Sequence, residues 1–241
     1  MAGASAERQE NAFVRAVIKA VKKNKNNPIT VEAGGVKISG VISAAKYTGR
    51  QESGSEPYTD VVLRIKNKPV VNLSLKGESA PSLAGGGLRG LEAAVPGIGR
   101  KFMTEAYKKL KDDMKLKDGD KVPDVYGQIG KKDKIKIVVG NSAMGGPIHY
   151  MYIGPMDVKE KYDEEKNILR LSGAFTEANE YAQTHNLFFR LRARREDQRF
   201  DSKAMAGGAP RIYGKSPSRG DSAGRIVVTD SVPSTAVIVK V

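Results

Sequence analysis

Tyr58-Thr59-Asp60-Val61-Val62-Leu63-Arg64-Ile65, then Lys66-Asn67-Lys68-Pro69, then Val70-Val71-Asn72-Leu73-Ser74-Leu75-Lys76-Gly77-Glu78 is the stretch on which the reading of this chain turns. Two runs rich in Val, Leu and Ile flank a polar tetrapeptide containing Asn and Pro, a pattern that predicts a β-hairpin. A turn centred on Asn67 sets Asp60 opposite Ser74, with Lys76 two residues further along the same face. Period-two alternation then places Asn72, Ser74, Lys76 and Glu78 on one side of the second strand and Val71, Leu73 and Leu75 on the other. A carboxylate and a lysine are expected to meet at the open end of the hairpin. A slip of one residue in the turn would separate them.

Working outward, residues 5–24 carry Phe13, Val14, Val17, Ile18 and Val21 at helical spacing, with Glu7 and Glu10 early and Lys22 and Lys23 late, which predicts an amphipathic first helix. Strands are expected at 29–31 and 36–42 on one side of the hairpin. On the other side they are expected at 135–139, 148–153, 168–171, 187–194, 225–229 and 236–241. The glycine-rich stretch 77–99 reads as a loop with a short helix, 100–117 as a second amphipathic helix, 176–185 as a third helix, and 201–224 as a long exposed loop. The run 141–155 reads as a strand framed by tight turns. These elements predict an α+β (or α/β) fold with a mixed central sheet and flanking helices. The expected division is a core over 1–160 and a basic, β-rich extension over 161–241 packed on it as one globular unit.

Composition narrows the function. The chain has 241 residues, 39% of them hydrophobic, enough to bury a core. Lys and Arg number 41 against 27 acids, a net charge of +14 and a pI near 9.8. Such a balance favours a polyanionic partner and salt-dependent association; the plainer reading is a basic surface with no nucleic-acid role. The absence of cysteine excludes thiol nucleophiles, disulfides and zinc ribbons. No signal-like or membrane-spanning apolar run is present, so a cytoplasmic protein without membrane contact is expected.

The hairpin residues resemble the restriction-endonuclease-like, or PD-(D/E)XK, nucleases, in which an acid opens one strand and an acid-x-lysine motif lies on the next. Asp60 matches the first acid and Lys76 the lysine, while a helix ahead of the hairpin often supplies another carboxylate, for which Glu10 is the candidate. The resemblance covers the first third of the chain. It departs from the pattern where Thr59-Asp60 replaces Pro-Asp and Ser74 stands in the second acid's place. Glu78, on the same predicted face, or Glu52 and Glu56 just before Asp60, are candidates for a relocated acid. The resemblance implies Mg2+ (or Mn2+) held by Asp60 and Glu78 or Glu10, and hydrolysis of DNA phosphodiesters, with Lys76 orienting or deprotonating the attacking water. A homodimer is compatible with cutting both strands. Two other readings stand beside this one: exposed charges at a strand end, and a non-catalytic nucleic-acid-binding or viral assembly protein on a degenerate scaffold.

A second signal is the alternation of Phe188-Phe189-Arg190-Leu191-Arg192-Ala193-Arg194-Arg195, which sets Arg190, Arg192 and Arg194 on one face of a strand. Arginine forks bind phosphate with two hydrogen bonds, so this stripe, with Arg195, Lys215 and Arg219, is a candidate DNA track, extended by Lys131, Lys132, Lys134, Lys136 and Arg211. The competing reading is a charged edge strand or ion pairing. The sequence around Lys215-Ser216 matches a phosphate loop only in spacing, because no strand leads in and Pro217 follows. His149 and His185 are too few for a histidine metal cluster and read as structural.

Overall fold

The computed structural model describes residues 4–49, 57–78, 87–192, 199–203, 205–206, 209–210 and 225–241. In chain order the elements are α1 (Ala4–Lys23), β1 (Ile29–Ala33), β2 (Val36–Lys46), β3 (Val61–Ile65), β4 (Val71–Gly77), α2 (Gly87–Ala94), α3 (Ile98–Lys108), a π-helical turn (Lys109–Asp113), β5 (Val125–Gln128), α4 (Lys131–Val139), a 3-10 turn (Ser142–Met144), β6 (Tyr150–Gly154), β7 (Glu160–Asp163), β8 (Ile168–Leu171), β9 (Ala174–Glu177), α5 (Ala178–Thr184), β10 (Phe188–Arg192), β11 (Met205–Ala206), β12 (Ala209–Pro210), β13 (Arg225–Thr229) and β14 (Val237–Lys240). They fall into two compact units, Met1–Pro81 with Val138–Thr184 and Ser82–Ile137 with His185–Val241. The fold is α+β, with a large mixed sheet in the first unit and a smaller sheet in the second.

The first unit is built on an eight-stranded sheet in the order β7-β8-β1-β2-β3-β4-β6-β9. Strands β1 to β4 form an antiparallel meander, and β6 then pairs with β4 in parallel. Helix α1 buries Phe13, Ala16, Val17, Ala20 and Val21 in one cluster with Val31, Val41, Val61, Leu63, Leu73, Leu75, Tyr152 and Phe175. Phe13 lies at its centre, its ring edge-on to Tyr152 at 5.2 Å and to Phe175 at 6.2 Å. The buried stripe differs from the one expected: Val14 is half-buried and Ile18 is 37% exposed. Ala16 and Ala20 take their place, because small side chains let the helix axis approach the sheet.

The second unit has a four-stranded sheet in the order β13-β10-β5-β14. Phe102 of α3 meets Phe189 of β10 at 5.6 Å between ring centroids. Gly127 is where the helix presses on β5, since a Cβ there would lie 2.5 Å from Phe102 Cδ2 and 2.7 Å from Val241 Cγ2.

Several elements correct the sequence reading. Residues 135–139, expected as a strand, belong to α4. Lys134, Ile137 and Val138 are the buried positions, a helical spacing that the short alternation of Lys and Ile concealed. The second amphipathic helix is regular only to Lys108, then widens into the π-helical turn at Lys109–Asp113. The stretch 176–185 begins as the end of β9 and becomes helical at Ala178. Within 201–224, β11 and β12 pair as two-residue strands, and 211–224 lie outside the described residues. Among the described residues no helix is long and apolar enough to cross a membrane.

Candidate active site

The hairpin has the register that a turn at Asn67 predicts: Val61, Val62 and Leu63 pair with Leu73, Asn72 and Val71, and Asn67 takes the left-handed conformation, φ 55°. The Asp60 N–H donates to Leu73 O at 2.9 Å, so Asp60 stands opposite Ser74, one step past the last paired residue of β3. Its carboxylate fills the end of the ladder. Oδ2 accepts from the Leu75 N–H at 2.7 Å and from Ser74 Oγ at 3.1 Å, and lies 3.7 Å from Lys76 Nζ. The Leu75 N–H would otherwise lack a strand partner, so the acid both closes the sheet and holds the lysine.

The rest of the site comes from α1 and β2. Lys46, the last residue of β2, pairs across the ladder with Val61, and the following N–H, of Tyr47, donates to Asp60 O at 3.0 Å. Lys46 Nζ is 2.9 Å from Glu10 Oε2 and 3.6 Å from Glu7 Oε1. The Glu10 side chain is only 10% exposed. Burial raises its pKa above the usual glutamate value, the Lys46 hydrogen bond opposes this, and the charge of Asp60 adds to the rise. Glu10 and Asp60 therefore sense each other electrostatically, each with a lysine at hand.

The raised pKa fixes the sign of a pH effect. Between the unfolded and folded pKa values Glu10 binds more proton in the folded state, so its contribution is fully present below the unfolded value and is lost as pH rises through the folded one. Urea titrations from pH 4 to 7 should show wild-type stability falling relative to Glu10→Gln as pH increases. A pH-independent difference would mean that Lys46 fully offsets the burial.

Gln9, which the sequence reading passed over, fixes α1 to the sheet. It is buried, and Nε2 lies within hydrogen-bonding distance of Gly154 O at 2.9 Å, Lys76 O at 3.2 Å and Pro155 O at 3.2 Å. These carbonyls close β4 and its parallel neighbour β6, so one amide ties the lysine's backbone to the helix that carries Glu10. Its signal was its place four residues before Phe13, in line with the buried stripe. Gln9→Ala leaves buried acceptors without their donor and should cost about 1–3 kcal/mol in chemical denaturation. A loss below about 0.5 kcal/mol would show that the amide is dispensable.

The Asp60 side of the hairpin is buttressed by the run 141–149, for which the sequence offered no role. The Tyr58 N–H donates to Met144 O at 2.9 Å, Thr59 Oγ1 donates to Gly145 O, Asn72 Nδ2 donates to Pro147 O at 2.9 Å, and the Asn72 N–H donates to His149 Nδ1 at 2.9 Å. His149 is thus structural. The Tyr58 ring packs over Gly140, which has φ +67° and no room for a Cβ.

Other expected residues fall elsewhere. Glu78 is exposed just beyond β4; its charge is felt by Tyr152, and no contact among the described residues joins it to Asp60 or Lys76. Glu52 and Glu56 lie outside the described residues, as do Arg194, Arg195, Arg211, Lys215 and Arg219. Among the described residues no group of three His, Cys, Asp or Glu is arranged to hold a metal ion. No family model, curated protein or solved structure matches this chain.

The arginine stripe does not begin on an edge strand, because β10 lies between β13 and β5. Arg190 is partly withdrawn from solvent there: its guanidinium lies 5.7 Å from the Tyr126 ring centroid and Nη2 is 3.8 Å from Asp124 Oδ2. Arg192 is in the same strand. On α4, Lys131, Lys132 and Lys136 are exposed, whereas Lys134 is buried and donates to His185 O at 2.6 Å. The second unit holds 24 of the 41 Lys and Arg but 13 of the 27 acids, so the excess positive charge is mostly its own.

Proposed function

We propose that the protein is a metal-dependent endonuclease that hydrolyses DNA phosphodiester bonds, with the cytoplasm as its compartment. The observation that carries this reading is the meeting of Asp60 and Lys76 at the mouth of the hairpin, with Glu10 on the preceding helix inside the electrostatic range of Asp60. A helix ahead of the hairpin, an acid on one strand and a lysine on the next is the arrangement that the resemblance to restriction-endonuclease-like nucleases implies.

Two carboxylates, Asp60 and Glu10, would suit a magnesium ion that keeps most of its water. Mg2+ is commonly held by one or two carboxylates with waters and substrate phosphate oxygens, and the contacts at Asp60 and Glu10 fall on Oδ2 and Oε2. Asp60 and Glu10 are the proposed ligands. Bound there, the ion would polarise the scissile phosphate and lower the pKa of a water. Lys76, held by Asp60 and backed by the Gln9 contact, would face that water or the developing charge on phosphorus. The excess of Lys and Arg in the second unit supports phosphate-backbone attraction without base reading.

A second reading has its own support. Ser74 donates a hydrogen bond to Asp60 where the resemblance calls for a second acid, which favours a non-catalytic nucleic-acid-binding or assembly protein on the same scaffold. Incubation with supercoiled, linear and single-stranded DNA in Mg2+, Mn2+ or EDTA separates the two. Metal-dependent cutting supports the nuclease; salt-sensitive binding with every metal and no cutting supports the second reading.

A further inference from the structure

The site contains a second lysine that neither the hairpin motif nor the cleavage scheme uses. Lys46 belongs to the strand on the far side of β3 from Lys76, and its ladder partner, Val61, is the residue next to Asp60. Its ammonium lies 2.9 Å from the buried Glu10 carboxylate and 3.6 Å from Glu7, while its own side chain is 34% exposed. Each acid proposed for the metal therefore already has a cation: Lys76 at Asp60 and Lys46 at Glu10. The two differ in hold. Lys76 is the more buried of the pair, whereas Lys46 sits at a strand end with a path to solvent.

We propose that Lys46 is a resident cation that competes with the divalent ion for Glu10, so that metal binding requires the ammonium to withdraw. This rests on the reading of Asp60 and Glu10 as metal ligands. Lys46 Nζ is in direct contact with the buried Glu10 carboxylate at 2.9 Å, so an ion drawn to Glu10 meets the ammonium at close range in a medium of low dielectric, whereas Lys76 stands 3.7 Å from Asp60 and can stay. The protein keeps Glu10 compensated when metal is scarce, and the same contact sets a threshold that the ion must overcome. Glu7, exposed and one turn earlier on α1, offers the displaced ammonium an acceptor.

The test is Mn2+ binding to the full chain at pH 8, measured by calorimetry and by loss of the free-ion electron paramagnetic resonance signal, neither of which needs turnover. Lys46→Met should bind Mn2+ about tenfold tighter than wild type, Lys46→Arg should bind as wild type does, and Glu10→Gln should remove the gain when combined with Lys46→Met. Circular dichroism reports whether Lys46→Met folds; Lys46→Gln, with a polar amide of similar length, provides the same comparison if it does not. Binding that depends on Asp60 yet is equal or weaker in Lys46→Met and Lys46→Gln overturns the proposal while leaving the metal site standing. Absence of Asp60-dependent binding in every variant overturns both, and makes Lys46–Glu10 a structural ion pair.

Discussion

Asp60→Ala is expected to abolish magnesium-dependent DNA cleavage, by about a thousandfold or more, while leaving DNA binding within about twofold. The size follows from the number of roles that meet on one carboxylate. Asp60 is a proposed metal ligand, it is 3.7 Å from Lys76 Nζ, and its Oδ2 fixes the Leu75 N–H and Ser74 Oγ. Removing it takes away the ion and frees the lysine together, so its effect and that of Lys76→Ala should not add. Asp60→Asn supplies the control for folding, since an amide oxygen can still accept from Leu75. Equal loss of cutting in Asn and Ala variants, with unchanged circular dichroism, assigns the loss to chemistry. Undiminished cutting by either variant would move the active site away from this hairpin. Binding is best followed by fluorescence anisotropy in EDTA, where the second unit's charge should carry it.

Phe13→Ala is expected to have the largest effect on stability, about 3–5 kcal/mol in chemical denaturation. The ring is fully buried and packs edge-on against Tyr152 and Phe175, which come from strands more than a hundred residues later in the chain. Truncation leaves a cavity between the helix and the sheet at a place where Ala16 and Ala20 offer nothing large enough to collapse into it. Typical domains have only about 5–15 kcal/mol of net stability, so the variant should be close to unfolding at physiological temperature. Phe13→Leu, which retains most of the volume, should lose about 1–2 kcal/mol. A cost below about 1 kcal/mol for Phe13→Ala would show that α1 is not anchored through this ring.

What the sequence revealed and concealed follows the range of the contacts. The hairpin was legible because its turn and its alternation are local: Asn67, Pro69 and the Val and Leu runs lie within twenty residues, and they place Asp60 beside Lys76 without help from the rest of the chain. Helix α1 was legible as a helix, but its buried stripe was read too far toward Val14 and Ile18, since hydrophobicity alone overlooks Ala16, Ala20 and a buried amide such as Gln9. The partners of Tyr58, Thr59 and Asn72 from 141–149 were beyond reach, because each contact spans some seventy to ninety residues and joins polar groups that carry no period. The 135–139 run failed for the opposite reason: Ile135-Lys136-Ile137-Val138-Val139 is short, rich in β-branched residues and satisfies the strand pattern, and only the burial of Lys134, Ile137 and Val138 together reveals the helix. Arg190 read as surface charge because Tyr126 on β5 and Asp124 just before it, which engage it, lie more than sixty residues earlier in the chain.

The two units are interleaved along the chain. Strand β4, which carries Lys76, takes its parallel partner β6 from beyond an excursion of more than fifty residues that belongs to the other unit. During synthesis the lysine's strand must wait with one edge bare until β6 emerges, and the sheet is not complete until β9 follows. Long loop closure of this kind slows folding and leaves an unpaired edge open to association meanwhile. It also means that no single cut separates the two units. Fragments ending between β4 and β6 should aggregate rather than fold in part, so the role of each unit must be probed by substitutions in the intact chain.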